Sequence, residues 1–253
     1  MFPEIVFDGY DLIVYGSAVP SLLTEPGWSR VPALAGAISS YAPVVPRPEK
    51  IFCAGLNYRT HIVEMGRELP AYPALSARFA RALAGANDPV LLPAGSEQVD
   101  WEAELGVVIG AEVRHASPEQ AAAAIAGYTV VNDMTARDFR YRPVEWLQGT
   151  TFERSTPVGP WLVTDTRPGE ISCTVGGDIV QKAGTGDLVS DAAALVAYVS
   201  QIVTLVPGGL IATGTPGGVG HARKPPRYLA GGSKVVTRVE GIGDLHNTMI
   251  KEF

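Results

Sequence analysis

Three stretches of the chain carry residues whose types and spacing could do chemistry. In Asp100-Trp101-Glu102-Ala103-Glu104-Leu105-Gly106-Val107-Val108-Ile109, a strand would project Glu102 and Glu104 from one face, because strand side chains alternate. On a buried strand those like charges repel unless a cation lies between them. An isolated Glu-x-Glu is more often a solvent-facing strand edge, since carboxylates are normally exposed. A further acid changes the weighing: Asp133 follows the apolar run Tyr128-Thr129-Val130-Val131-Asn132, where the plain reading is a cap for the next turn. Three carboxylates with no nearby His or Cys ligand would form an all-oxygen site, which selects Mg2+ or Mn2+, with Ca2+ allowed, over Zn2+ or Cu2+.

The second stretch is Gly55-Leu56-Asn57-Tyr58-Arg59-Thr60-His61-Ile62-Val63-Glu64. His61 and Glu64 stand three apart, which brings their side chains together on a helical turn. Glu64 could then fix the imidazole tautomer while His61 takes a proton from water. The plainer alternative is a surface pair at the edge of a short helix. The third stretch, Leu210-Ile211-Ala212-Thr213-Gly214-Thr215-Pro216-Gly217-Gly218-Val219-Gly220, runs a strand into a glycine-rich turn. Its backbone N–H groups and two hydroxyls can hold a carboxylate or carbonyl oxygen. It lacks the Gly-Lys-Ser/Thr of a phosphate loop and the spacing of a dinucleotide fingerprint, so a tight turn is its plain alternative.

These side chains need elements to position them. Strands are expected over 90–92, 104–109, 128–132, 161–164, 171–175, 210–213 and 234–239, with turn residues between them. Ala-rich helices are expected over 119–126 and 191–204, the latter with Ser190 or Asp191 as its cap. The core is therefore β-dominated. Gly 28 and Pro 20 in 253 residues favour many turns and exclude a helical bundle. Residues 1–46 alternate apolar runs with turn signals (Asp8-Gly9, Tyr15-Gly16, Pro20, Pro26-Gly27) and end in Val44-Val45-Pro46-Arg47-Pro48. They form a small N-terminal segment, followed by one catalytic-size domain over 47–253.

Hydrophobic residues make up 46% and charged ones 18%, which excludes intrinsic disorder. The net charge of −6 and the lack of a basic run make nucleic acid an unexpected partner. Cys53 and Cys173 indicate neither a disulfide framework nor a zinc site. No basic leader precedes an apolar stretch and no run reaches the roughly 18 apolar residues of a membrane span. The expectation is a soluble cytoplasmic protein with no membrane partner.

With its segments in this order, the sequence resembles the fumarylacetoacetate hydrolase family from about Pro46 onward. The likeness is carried by Gly55-Leu56-Asn57-Tyr58 with His61 and Glu64, by Leu92-Pro93, Asp100 to Leu105 and Gly127-Tyr128, and by Asn132-Asp133 with Ala136-Arg137-Asp138. Pro157-Val158-Gly159-Pro160-Trp161, Ala212-Thr213-Gly214-Thr215-Pro216 and Lys224-Pro225-Pro226 complete it. The resemblance implies an α+β fold, a mixed β-roll or β-barrel-like core with short helices and the small β-rich N-terminal piece, and usually a homodimer. It implies a divalent cation, Mg2+ with Mn2+ or Ca2+ as substitutes, held at Glu102, Glu104 and Asp133, binding two oxygens of a 1,3-dicarbonyl or 2-oxo acid as a Lewis acid. It makes His61 and Glu64 the water-activating pair and puts Tyr58, Arg78, Thr150 and Thr215 on the substrate.

Three positions depart from the family pattern. Where the family has Gly-Lys-Ser-Phe-Asp, with the Lys on the substrate oxyanion, this chain reads Gly149-Thr150-Thr151-Phe152-Glu153. Where it commonly has a Gln after Ala-Arg-Asp, this chain has Arg140. Its Phe-x-Lys-Pro becomes Ser76-Ala77-Arg78-Phe79, which implies a reshaped pocket wall. Arg140 is expected to take over the electrostatic part of the lost Lys, the alternative being a surface pair with Asp138 or Glu145. Arg137 and Asp138 are expected to pair behind the metal site. Trp101, Trp146 and Trp161 read as core or pocket-wall aromatics, and His115, His221 and His246 have no carboxylate at a ligand spacing. The simplest function is carbon–carbon bond hydrolysis on a small β-dicarbonyl or 2-oxo acid. Decarboxylation, tautomerisation, and cyclisation or dehydration need the same enolate stabilisation, and a non-catalytic small-molecule binder is the rival of another class.

Overall fold

The structure, a computed structural model, describes residues 42–164 and 168–252 together with three N-terminal strands, β1 (Glu4–Phe7), β2 (Leu12–Tyr15) and β3 (Ser29–Val31). The turn signals at Asp8-Gly9, Gly16, Pro20 and Pro26-Gly27 lie outside the described residues. Onward come β4 (Ile51–Gly55), α1 (Arg59–Glu64), β5 (Ala74–Arg78), β6 (Leu83–Ala84), β7 (Val90–Leu92), β8 (Val99–Asp100), β9 (Ala103–Ile109), α2 (Pro118–Ala123), β10 (Ile125–Asn132) and β11 (Thr135–Ala136). The chain ends with α3 (Arg137–Arg140), α4 (Leu147–Thr150), β12 (Thr156–Val163), β13 (Glu170–Val175), β14 (Asp178–Gly184), α5 (Ala192–Ile202), β15 (Leu210–Ala212), β16 (Lys234–Val239) and β17 (Gly243–Lys251).

The large mixed sheet runs β3-β1-β2-β12-β10-β9-β15-β4-β5. At its centre β9 is buried at all seven positions, which is why its sequence is a near-continuous apolar run rather than an alternation. A second sheet, β14-β13-β16-β17-β7, covers one face: Leu105 and Val130 of the first sheet share a cluster with Ile171, Val235 and Leu245 of the second. Further along that same face, Val107, Ile109 and Ile211 pack against Leu195, Val196 and Val199 of α5 and Ala121 of α2, while the opposite face buries Val108, Val131, Cys53 and Ala212. The expected α+β class with a β-dominated core is the class observed. The N-terminal strands join the large sheet through a parallel pairing of β2 with β12, Tyr15 opposite Leu162.

Both expected helices form, each shorter than its apolar pattern. In α5, Asp191 accepts from Ala194 N at 2.8 Å as the N-cap, and Ala192, Leu195, Val196, Val199 and Ser200 make the buried stripe that a 3.6-residue period requires. In α2, Ser117 and Gln120 form a reciprocal capping box with Pro118 at the first position; the helix stops at Ala123, and β10 begins at Ile125. Strands β4, β5, β14 and β17 were not anticipated. In β14 the apolar Ile179 is exposed while Gln181 is buried, and in β17 Asn247 alternates with Leu245 and Met249 on the buried side, so neither shows a clean apolar alternation.

Candidate active site

Pairing of β9 with β10 assembles the acidic groups. The antiparallel register sets Val131 opposite Glu104 and Asn132 opposite Ala103, so Asp133 arrives opposite Glu102 and all three carboxylates share a face. The strand ends are clamped: Asp133 N donates to Glu102 O at 2.8 Å, Glu102 N donates to Asn132 Oδ1 at 3.0 Å, and Asn132 Nδ2 donates to Thr237 of the second sheet. The residues are buried, and one oxygen from each lies within 4.8 Å of the others. They line a pocket shared with Cys53, His61, Arg140, Trp146, Thr150 and Thr215.

Arginines balance this charge unevenly. Arg137 Nη2 donates to Glu102 Oε1 at 2.6 Å, and Arg140 Nη1 lies 3.5 Å from the same oxygen. Burial alone would raise Glu102, but these two guanidiniums more than reverse it and hold the carboxyl well below the usual range. Arg78 pairs with Asp133 Oδ1, yet burial dominates and Asp133 stays raised. Among the described residues Glu104 has only a backbone donor, Gly214 N at 2.8 Å, and burial together with Asp133 and Glu102 pushes it well above its ordinary value. Gly214 is required there: its φ is +99°, and a Cβ would lie 2.7 Å from Ala54 O.

The His61–Glu64 pair sits on α1, with His61 Nδ1 3.5 Å from Glu64 Oε2. His61 is buried and lines the pocket. Gly218 N donates to both Glu64 oxygens, at 2.9 and 3.0 Å. Partial burial would raise Glu64, but the neighbouring His61 ring and the Gly218 N–H hold it below its ordinary value. Asn57 anchors the segment before α1, donating to Ser190 O and Thr213 O and accepting from Ser190 N.

Several expectations change at this level. Arg137 pairs with Asp100 and Glu102, not with Asp138, which accepts from Ser96 Oγ; neighbours on a helical turn point about 100° apart, so one faces in and the other out. Arg140 meets neither Asp138 nor Glu145 but stacks on Trp146, 4.3 Å from the ring centre. The carboxylates do have Cys and His neighbours, since Cys53 Sγ lies 3.6 Å from Asp133 Oδ1. Burial and Asp133 push that thiol up, so it is a neutral donor and the available metal donors remain oxygens. Arg78 is no part of the pocket lining: it bonds Asp133, Thr156 Oγ1 and Met134 O and buttresses Asp133 from behind. Tyr58 is likewise a fully buried core residue outside the lining. His246 does have a carboxylate, Asp244 at 3.9 Å on the surface, whereas His221 bonds Tyr228.

Thr150 and Thr215 both reach the pocket. Thr150 Oγ1 donates back to its own helix, toward Trp146 O and Leu147 O. Thr215 is held by a group the sequence reading missed. Gln181 Oε1 accepts from Ala103 N, so its amide nitrogen faces Thr215 Oγ1 at 2.8 Å, while the Thr215 hydroxyl donates to Ala103 O. Its strand also carries charged Asp178 and Lys182 and exposes Ile179, so no local signal marked Gln181 as buried. Pocket chemistry fits a hard divalent cation: guanidinium, thiol and backbone donors take Asp133 Oδ1 and Glu104 Oε2. Asp133 Oδ2 and Glu104 Oε1 have no donor among the described residues.

A curled mixed sheet carrying buried carboxylates beside a histidine–carboxylate pair defines an α+β domain with a candidate active site. Comparison with known proteins gives it a family. Residues 50–250 match the model of the fumarylacetoacetate (FAA) hydrolase C-terminal domain, and the chain belongs to that enzyme family. It is 37% identical over 260 residues to the mitochondrial oxaloacetate tautomerase Fahd2a of Rattus norvegicus, covering 95% of this chain and 83% of that protein. Among solved structures, 5-carboxymethyl-2-hydroxymuconate delta-isomerase from Mycobacterium smegmatis superposes with a TM-score of 0.80 at 30% identity, covering 100% of both chains. Fumarylpyruvate hydrolase from Pseudomonas aeruginosa, in complex with Mn2+ and pyruvate, superposes with a TM-score of 0.73 at 28% identity, covering 86% of this chain and 100% of that one.

Proposed function

We propose that this enzyme interconverts the keto and enol forms of a small 2-oxo dicarboxylic acid such as oxaloacetate, with a divalent cation, Mn2+ or Mg2+, held by Glu102, Glu104 and Asp133. The observation that carries this reading is His61, with Nδ1 3.5 Å from Glu64 and lining the same pocket as the three carboxylates. A bound ion would act as a Lewis acid on the substrate's oxygens. With Nδ1 turned to Glu64, Nε2 of His61 is left to take the proton from C3 of the keto acid and return it to the enol oxygen. Glu64 stabilises the imidazolium formed between the two transfers. Arg140, held on Trp146, supplies a positive charge to a substrate carboxylate, and Thr150 contributes no charge.

A second reading, carbon–carbon bond hydrolysis, uses the same pair to take a proton from water. The relatives support both, one being named a tautomerase and another a hydrolase. Neutral Thr150 favours proton transfer, which forms the enolate but not the additional tetrahedral oxyanion that water attack creates in cleavage. Decay of the enol absorbance of oxaloacetate, followed with Mn2+ and with EDTA, tests the proposal. It should accelerate only with metal, and His61→Ala should lower the rate by about 10² to 10⁴. No acceleration of oxaloacetate, together with cleavage of an acylpyruvate, would move the assignment to hydrolysis. We also read the enzyme as a homodimer, to be checked by sedimentation equilibrium.

A further inference from the structure

Asp100 is fully buried and has no part in the proton transfers above, yet its carboxylate receives donors from three separated segments. Oδ1 accepts from Trp101 N at 2.9 Å and Gly220 N at 2.7 Å. Oδ2 accepts from Arg137 Nε at 2.9 Å and His221 N at 3.0 Å, which fills the acceptor capacity of the group. Through Arg137 the contact continues to Glu102 Oε1 at 2.6 Å. Through Gly220 and His221 it reaches the glycine-rich loop, whose other end is fastened to α1: Gly218 N to Glu64, and Gly217 N to Thr60 Oγ1 at 3.2 Å. The loop has no slack. A Cβ on Gly220 would lie 1.9 Å from Arg227 O and 2.7 Å from Asp100 Oδ1, and one on Gly218 would lie 2.1 Å from Val180 O.

We propose that Asp100 is a positioning residue that sets the placement of the His61–Glu64 pair relative to the Glu102–Glu104–Asp133 carboxylates, acting through Arg137 on one side and through loop 217–221 on the other. The inference rests on the reading that the pair and the carboxylates serve one metal-dependent site. Its consequence is coupling: an ion that orders Glu102 also orders α1, through Arg137, Asp100 and the loop. A merely structural Asp100 would stabilise the fold without passing this effect on.

Amide hydrogen exchange of the full-length protein, measured with and without Mn2+, separates these cases. In the wild type Mn2+ should slow exchange across 59–66 and 217–221 by about tenfold, as a coupling between sites of ordinary size would. In Asp100→Asn it should still slow exchange around Glu102 and Asp133 but leave 59–66 unchanged. Arg137→Lys, which keeps the charge and cannot span Asp100 and Glu102 together, should behave likewise, and it answers the question should Asp100→Asn fail to fold. Equal Mn2+ protection of 59–66 in either folded variant and the wild type would overturn the proposal. So would a wild type in which Mn2+ never reaches 59–66. A wild type showing the coupling but no turnover of oxaloacetate would instead overturn the reaction assigned above and leave the role of Asp100 standing.

Discussion

Glu104 is buried beside Asp133 and Glu102 and has one backbone donor, so it is the group most affected by the presence of an ion. Its raised pKa contributes stability to the metal-free fold that is fully present below its ordinary value of 4.5 and is lost as pH rises through the raised value. Glu104→Gln should therefore be more stable than the wild type in EDTA, by a margin that widens as pH rises above that ordinary value. With Mn2+ the order should reverse, because the variant loses a ligand. Thermal unfolding of both proteins across pH, with EDTA and with Mn2+, checks both parts. Arg140 is the other decisive residue: Arg140→Ala removes a preorganised cation from the pocket, a loss of about 3 kcal/mol or roughly a hundredfold in rate. Mn2+ should still bind, and an unchanged rate would show that the guanidinium serves only its contacts with Trp146 and Glu102.

At the scale of elements, two one-turn helices hold that guanidinium in place. A Cβ on Gly149 of α4 would lie 2.5 to 2.6 Å from the Cβ, Cα and N of Arg140 in α3, so the helices touch through a glycine. Gly149→Ala should cost about 1 to 3 kcal/mol of stability by overpacking and should lower turnover by displacing Arg140, with Mn2+ binding preserved. Chemical denaturation and steady-state kinetics read the two effects separately. Helix α5 was legible because its capping side chain and apolar stripe are local signals, and α2 because its Ala-rich run is. β14 and β17 were not, because Gln181 and Asn247 are polar residues buried to satisfy distant backbone and side-chain groups, a demand set by partners far away in sequence.

For the whole molecule, metal occupancy and stability should be linked. At an Mn2+ concentration one hundred times the dissociation constant, binding should add about 2.7 kcal/mol, a rise in melting temperature of roughly 5 to 10 °C for a chain of this size. The rise should grow with pH, since the ion must displace the proton that burial favours on Glu104, and EDTA should abolish it. Differential scanning calorimetry of metal-loaded and stripped protein decides this, and a melting temperature indifferent to Mn2+ would remove the metal site. Among the described residues no helix is long and apolar enough to cross a membrane.

By itself the sequence determined the central strands, the two helices, the His61–Glu64 pairing and the candidacy of Glu102, Glu104 and Asp133. Each follows from spacing along one strand or one helical turn, or from family motifs that keep their order. Tertiary structure alone decided that Arg137 turns to Asp100 and Glu102, that Arg78 stands behind Asp133 rather than in the pocket, that Tyr58 is core, and that Asp100 and Gln181 fasten the glycine-rich loop. Those contacts join residues 30 or more positions apart, as in Glu102 N with Asn132 and Gly220 N with Asp100. Their pairing depends on strand register and on which buried charge lacks a nearer partner, and neither is written in any local stretch of sequence.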